Sequence, residues 1–433
     1  MRLILALLCL AAASVASAVP RLQVPADLTT PVPKATRLDG LTPFSIVEIE
    51  TIRRGPGDDV SAVATASFVA DRHGVVDTAR DAPVTGGYSG VDPIGLFWSA
   101  HARPATISDP AADEVVVTVR AGDRVLARKM ASARPNAATM VLSTDTPFPG
   151  AVWARPISPG RHPVLIVLGG SEGGSSTARN LAPLFAARGY ATLGLPYYNP
   201  GYDPSDKTPG LPTSFTEIPV DRLVAVREWV AHQPAADVDR LGIWGASKGA
   251  EFALIAASRY SWIKAVVAIV PTDVVWEGWG RAGPATASFA FGGQPLAFEP
   301  YAGMGPELAK AAKGEQMDLR RVHVEGRAAN PDRLAAARIP IEQFRGALLV
   351  AGGGRDTIWP SLEMATAIAQ TRAAASEATT LLVYPDAGHA LGGPGSTPTE
   401  ILTGLGGFPA AIAKARADVW RQTFEVLDGA LFP

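Results

Sequence analysis

The sequence predicts an α/β domain, a mostly parallel sheet wrapped by helices, preceded by an all-β sandwich. Three observations predict it. Between about Leu41 and Val141, short alternating apolar segments are punctuated by turn residues. Beyond Pro163, compact apolar runs alternate with helical periodicity, as in a parallel sheet with crossover helices. The chain has 433 residues, 47% of them apolar, which exceeds one ordinary domain and builds a substantial core.

In chain order, Phe44–Ile52, Val60–Phe68 and Glu114–Arg120 read as strands of an immunoglobulin-like sandwich over residues 19–150. The turn-rich stretch Ser143–Pro149 reads as the boundary to a second domain over 151–433. There, strands are expected at Val164–Leu168, Ala191–Leu195, Leu241–Trp244, Ala265–Ile269, Ala347–Ala351 and Thr380–Tyr384. Helices are expected at Thr177–Arg188, Val220–His232, Lys248–Arg259, Leu362–Arg372 and Ala410–Leu427. Residues 277–338 break this rhythm with Gly/Ala/Pro-rich and polar helical pieces. They read as a lid-like insertion over the carboxyl ends of the strands, where sites on open α/β sheets lie.

The N-terminus carries an export signal: Met1-Arg2 is a positive start, Leu3–Val15 an apolar centre, and Ala16-Ser17-Ala18 a small-residue cleavage site. Cleavage after Ala18 is expected. The apolar run is shorter than the roughly 20 residues needed to span a bilayer, so no integral membrane anchor is expected in the mature chain. Periplasmic or secreted localisation follows. Cys9 is the only cysteine, and its removal leaves no thiol for disulfides, nucleophilic catalysis or metal ligation. A net charge of −2 supplies no global field for nucleic acid.

The chemistry is concentrated at Gly245-Ala246-Ser247-Lys248-Gly249, where a strand run collides with a helical one. In this G-x-S-x-G pattern the serine occupies a strained apex and the glycines keep side chains out of the crowded junction. A serine hydroxyl needs a base, and the base needs an acid to hold its tautomer. Of the six histidines, His389 alone follows the last strand, in a glycine-flexed loop at the carboxyl end of the sheet. Asp356 follows the Ala347–Ala351 strand and completes the order Ser, Asp, His of an α/β hydrolase. Asp386 and Asp273 are the rival acids.

The Lys248 N–H is expected to be one oxyanion donor, with the N–H of Ser171 or Glu172 in the loop Gly169–Gly174 as the other. That loop lacks the spacing of nucleotide-binding glycine motifs. The Lys248 side chain is expected to face solvent or a carboxylate, and Glu251 to support the helix. No metal-ligand spacing is present and no cofactor is implied.

Three segments resemble the acyl-CoA thioesterase and bile acid-CoA:amino acid N-acyltransferase family: Gly87–Ser99, Gly245–Glu251, and Ile339–Val350 running into Asp356–Ser361. The resemblance implies an immunoglobulin-like domain ahead of an α/β-hydrolase domain, with Ser247 as nucleophile, Asp356 as acid and His389 as base. It also implies hydrolysis over acyl transfer to an amine or alcohol, since the amino-acid-conjugating members carry cysteine at the position of Ser247. The expected partner is a small-molecule acyl thioester or ester. Because acyl-CoA is a cytosolic metabolite, export widens the class to other esters, as for a carboxylesterase. A non-enzymatic binding protein would not need all three groups in that order.

Overall fold

The computed structural model describes residues 19–432 apart from 55–59, 107, 112, 207, 312 and 316; the expected export signal lies outside the described residues. In the N-terminal module, strands Arg21–Gln23, Arg37–Asp39 and Val76–Asp77 form one antiparallel sheet. A second runs in the order Thr85–Gly86, Val60–Val69, Ile46–Arg54, Glu114–Ala121 and Arg124–Ser132, with His101–Pro104 also paired to Val60–Val69. Along Ile46–Arg54 the buried residues Val47, Ile49 and Thr51 alternate with more exposed ones, as a half-buried strand requires. Val47 and Ile49 share one core with Leu22, Leu38 and Val76 of the smaller sheet. The module is therefore an antiparallel sandwich.

The C-terminal module is built on eight strands: β1 Met140–Ser143, β2 Val152–Pro156, β3 His162–Leu168, β4 Ala191–Gly194, β5 Ala236–Ala246, β6 Ile263–Ile269, β7 Ala347–Gly353 and β8 Thr380–Tyr384. Their spatial order is 1-2-4-3-5-6-7-8, the α/β-hydrolase sheet. Pairs from β4 to β8 are parallel, whereas β1 and β2 add antiparallel pairs at one edge. The large sheet thus begins before the expected boundary at 150, which assigned Met140–Ser143 to the sandwich. Four residues ahead of a turn show no period of their own, and they become a strand only by pairing with β2. The central strands are buried on both faces, which explains their continuous apolar runs.

Residues 277–338 fold into small pieces, including strand Phe289–Phe291, which pairs with Ile218–Pro219, and helices Met304–Ala311, Leu319–Ala329 and Leu334–Ala337. Asp318 caps Leu319–Ala329 by accepting from the Arg321 N–H at 3.1 Å. Arg320, in the first turn, donates to the Asp356 carbonyl at 3.2 Å and so holds the insertion against the carboxyl end of β7.

The last helix, Pro409–Leu431, joins the modules. Trp420, Phe424, Leu427 and Leu431 pack under the large sheet, whereas Ala413 enters the sandwich core. Trp420 Nε1 also donates to the Thr29 carbonyl at 2.9 Å, and its ring meets Phe185 and Phe424. Trp420→Ala is expected to cost about 3–5 kcal/mol. Chemical denaturation followed by circular dichroism checks it, and a loss below about 1 kcal/mol would deny the helix this role.

Candidate active site

Strand β5 ends at Ala246 and the helix Lys248–Ala257 begins directly after Ser247, which is held at φ 55° and ψ −121°. A non-glycine residue in that region costs on the order of 1–3 kcal/mol and persists only where its surroundings over-determine it. The Ser247 N–H donates to the Ile269 carbonyl at 2.9 Å, and the Ser247 carbonyl accepts from the Ala250 and Glu251 N–H groups at 2.9 and 3.1 Å. The flanking glycines are steric necessities. A Cβ on Gly245 would lie 2.2 Å from the Gly249 carbonyl oxygen, and one on Gly249 would lie 2.3 Å from that of Gly169. The first helical amides, Lys248 and Gly249, have no intrahelical acceptor and point outward from the helix start.

Asp356 and His389 come from neighbouring strand ends. After β7, Asp356 is buried; its Oδ1 accepts from the Ile358 and Trp359 N–H groups at 2.8 and 3.2 Å, and its Oδ2 lies 2.7 Å from His389 Nδ1. A carboxylate only accepts, so Nδ1 carries the proton and Nε2 is the free nitrogen. The His389 backbone N–H is tied to the Leu405 carbonyl at 2.9 Å, and Trp359 stands 5.6 Å from the imidazole. The rival acids are engaged elsewhere: Asp386 pairs with Arg355 at 3.1 Å and Asp273 with Arg327 at 2.7 Å. Among the described residues no hydrogen bond joins Ser247 Oγ to His389.

In the loop after β3, Glu172 Oε1 accepts from the Gly170 N–H at 2.9 Å and from Thr177 Oγ1 at 2.7 Å, so its side chain braces the loop from behind. Gly170 lies directly against the serine, since a Cβ there would approach Ser247 Cβ to 3.1 Å. Ser171 faces the same cavity as Ser247 and Lys248. That cavity, of about 670 Å³, is walled mainly by apolar and aromatic side chains, among them Trp279, Leu308, Ile358 and Trp359. A larger hollow of about 880 Å³ lies between the sandwich and the last helix, away from Ser247.

Two buried arrangements, the Lys248–Glu251 pair and the surroundings of His323, were not legible in the sequence. Lys248 Nζ is buried, 2.6 Å from Glu251 Oε2 and 3.1 Å from Ser288 Oγ, so of the two expected surroundings it takes the carboxylate and not solvent. Glu251 Oε1 accepts from Ser288 Oγ and from the Trp276 N–H at 3.0 and 3.1 Å, which ties the elbow helix to the insertion. Burial pushes the Lys248 pKa down and the Glu251 pKa up, each opposed by attraction to the other. His323, in the insertion, is buried among Trp276, Tyr301 and Trp359, and burial lowers its pKa to about 3. Nothing short of the packed insertion signals either placement.

Glu251→Gln is expected to cost about 3–5 kcal/mol by stranding a buried ammonium, and adding Lys248→Met should recover most of it, as seen by urea denaturation. The imidazole of His323 is neutral in the folded state but binds a proton below its ordinary 6.5 when unfolded. Stability therefore falls as pH drops from 6.5 towards 3, and His323→Phe should flatten that part of a melting-temperature profile.

Residues 33–134 match the family model described as the acyl-CoA thioester hydrolase/BAAT N-terminal region, and residues 225–433 match that of the BAAT/acyl-CoA thioester hydrolase C terminal. Acyl-coenzyme A thioesterase 5 of Mus musculus is 28% identical over 434 residues, covering 90% of this chain and 92% of that protein. Peroxisomal succinyl-coenzyme A thioesterase of Mus musculus is 28% identical, covering 90% and 91%. The bile acid-CoA:amino acid N-acyltransferase of Homo sapiens is 24% identical, covering 93% and 95%. With its sheet order and both of its modules matched, the chain is a hydrolase and belongs to the acyl-CoA thioester hydrolase/BAAT family.

Proposed function

We propose that the chain is an exported serine hydrolase that cleaves an acyl thioester or ester through Ser247, His389 and Asp356. The observation that carries it is the Asp356–His389 hydrogen bond of 2.7 Å, formed on the same sheet edge as the strained Ser247 that opens into an apolar cavity. The acyl-CoA thioesterases among the relatives support a thioester substrate, and the apolar walls support an acyl chain.

His389 Nε2 takes the proton of Ser247 Oγ as that oxygen attacks the acyl carbonyl carbon. Asp356 holds Nδ1–H and stabilises the imidazolium that forms. The N–H groups of Lys248 and of Ser171 or Glu172 receive the developing oxyanion. The leaving thiol or alcohol departs with the proton from His389. The same nitrogen then deprotonates a water that attacks the acyl carbon, and the Ser247 Oγ–acyl bond breaks as that proton passes to Oγ and the acid is released. A serine-to-base hydrogen bond that closes only with substrate is common in unliganded enzymes.

Ser247→Ala is expected to lower turnover of p-nitrophenyl esters and acyl-CoA thioesters by about 10⁵- to 10⁶-fold with an unchanged melting temperature. Asp356→Asn should lower kcat by about 10⁴-fold by favouring the wrong tautomer. Retained turnover in Ser247→Ala, or failure of a fluorophosphonate to label Ser247, would overturn the assignment. Adding free amino acids and searching for conjugates by mass spectrometry separates hydrolysis from transfer. N-terminal sequencing of exported protein should begin at Val19.

A further inference from the structure

His323 is a polar feature of the cavity wall that the proposed hydrolysis does not use. It sits on the insertion helix Leu319–Ala329, is only 4% exposed, and lines the same cavity as Ser247. Its ring is boxed edge-on by Trp276 at 4.6 Å, Tyr301 at 5.0 Å and Trp359 at 5.4 Å, which fixes its plane. His323 Nδ1 lies 2.7 Å from the Leu319 carbonyl oxygen. A carbonyl can only accept, so Nδ1 carries the hydrogen and Nε2 presents a lone pair. Among the described residues nothing donates to Nε2. Burial keeps the imidazole neutral at ordinary pH, so Nε2 remains an acceptor.

The rest of the wall is mostly apolar, with Trp279, Met304, Leu308, Leu319 and Ile358 among its residues, and the Lys248 ammonium is committed to Glu251 and Ser288. Its other polar groups, the hydroxyls of Ser171, Tyr202 and Tyr301, can turn either a hydrogen or a lone pair to a ligand, whereas Nε2 can only accept. A plain hydrocarbon lying against Nε2 would strip it of water and return nothing, whereas a donor on the chain would satisfy it. Trp359 stands between the two imidazoles, 5.4 Å from His323 and 5.6 Å from His389, so the acceptor is one indole away from the proposed base.

We propose that His323 makes this cavity selective for acyl groups that carry one hydrogen-bond donor, a hydroxyl or an amide N–H, on an otherwise hydrocarbon chain. The placing of the acyl group in the cavity rests on the function proposed above; the binding preference does not.

The test uses p-nitrophenyl octanoate and its isomers bearing one hydroxyl or one secondary amide along the chain, with the corresponding free acids titrated by tryptophan fluorescence. In the wild type at least one donor-bearing isomer should exceed octanoate in both kcat/KM and affinity by about tenfold, the worth of one well-placed hydrogen bond in a dry site. His323→Phe keeps an aromatic ring but no acceptor, and the ratio should fall to about one. His323→Gln restores an acceptor and should keep most of the preference; a merely structural histidine would lower both substrates together and leave the ratio unmoved. Donor-bearing isomers at or below octanoate in the wild type, or a preference that survives in His323→Phe, would overturn the proposal. Absence of any ester turnover would instead count against the Ser247 assignment, and the affinity ratio would still decide the role of His323.

Discussion

Crowding at the Ser247 turn is the constraint on which the rest of the structure depends. A serine at positive φ is held where the elbow helix packs back on Gly245 and against the end of β3 at Gly249, too closely for a side chain at either glycine. The helix in turn is anchored by the buried Lys248–Glu251 pair, whose remaining hydrogen bonds go to Ser288 and Trp276 beyond the sheet. Removing either charge leaves the other unpaired in a water-poor interior, so the elbow and the start of the insertion are coupled.

The same coupling reaches Asp356 and His389. Asp356 is gripped by the amides of its own loop, and Trp359 of that loop donates through Nε1 to the Val270 carbonyl at 3.1 Å. Val270 follows β6 at φ 43°, a conformation that a β-branched residue adopts only when its neighbours impose it. Arg320 of the insertion closes the arrangement by donating to the carbonyls of Asp356 and Trp359. The walls of the cavity and the supports of the Asp356–His389 pair are therefore largely the same residues. Trp359 is the clearest case, lying against both His323 and His389.

The sandwich stands apart from this chemistry and meets the large-sheet module through the C-terminal helix, the segment before it and the Arg188–Asp27 pair. Hydrogen bonds from Trp420 Nε1, Ser396 Oγ and the Thr399 N–H reach carbonyls of Thr29, Leu28 and Trp98, so the segment after His389 is tied down on the sandwich.

The central strands, the helices between them and the elbow were legible in the sequence because each carries a local signature: an apolar run buried on both faces, a 3.6-residue period, or glycines flanking a serine. The order of Ser247, Asp356 and His389 along the chain follows from the same signatures, because each lies in the turn or loop after a strand of one mostly parallel sheet. The edge strand Met140–Ser143, the burial of Lys248 with Glu251 and the aromatic box around His323 were not legible. All three depend on partners distant in sequence: β2 for the strand, Ser288 and Trp276 for the ion pair, and Trp276, Tyr301 and Trp359 for the histidine. Local pattern alone determined where the proposed reactive groups fall on the sheet. Only the folded core decided where the lysine charge is neutralised, what lines the cavity and how closely Asp356 meets His389, because burial and pairing are properties of the assembled core and not of any single segment.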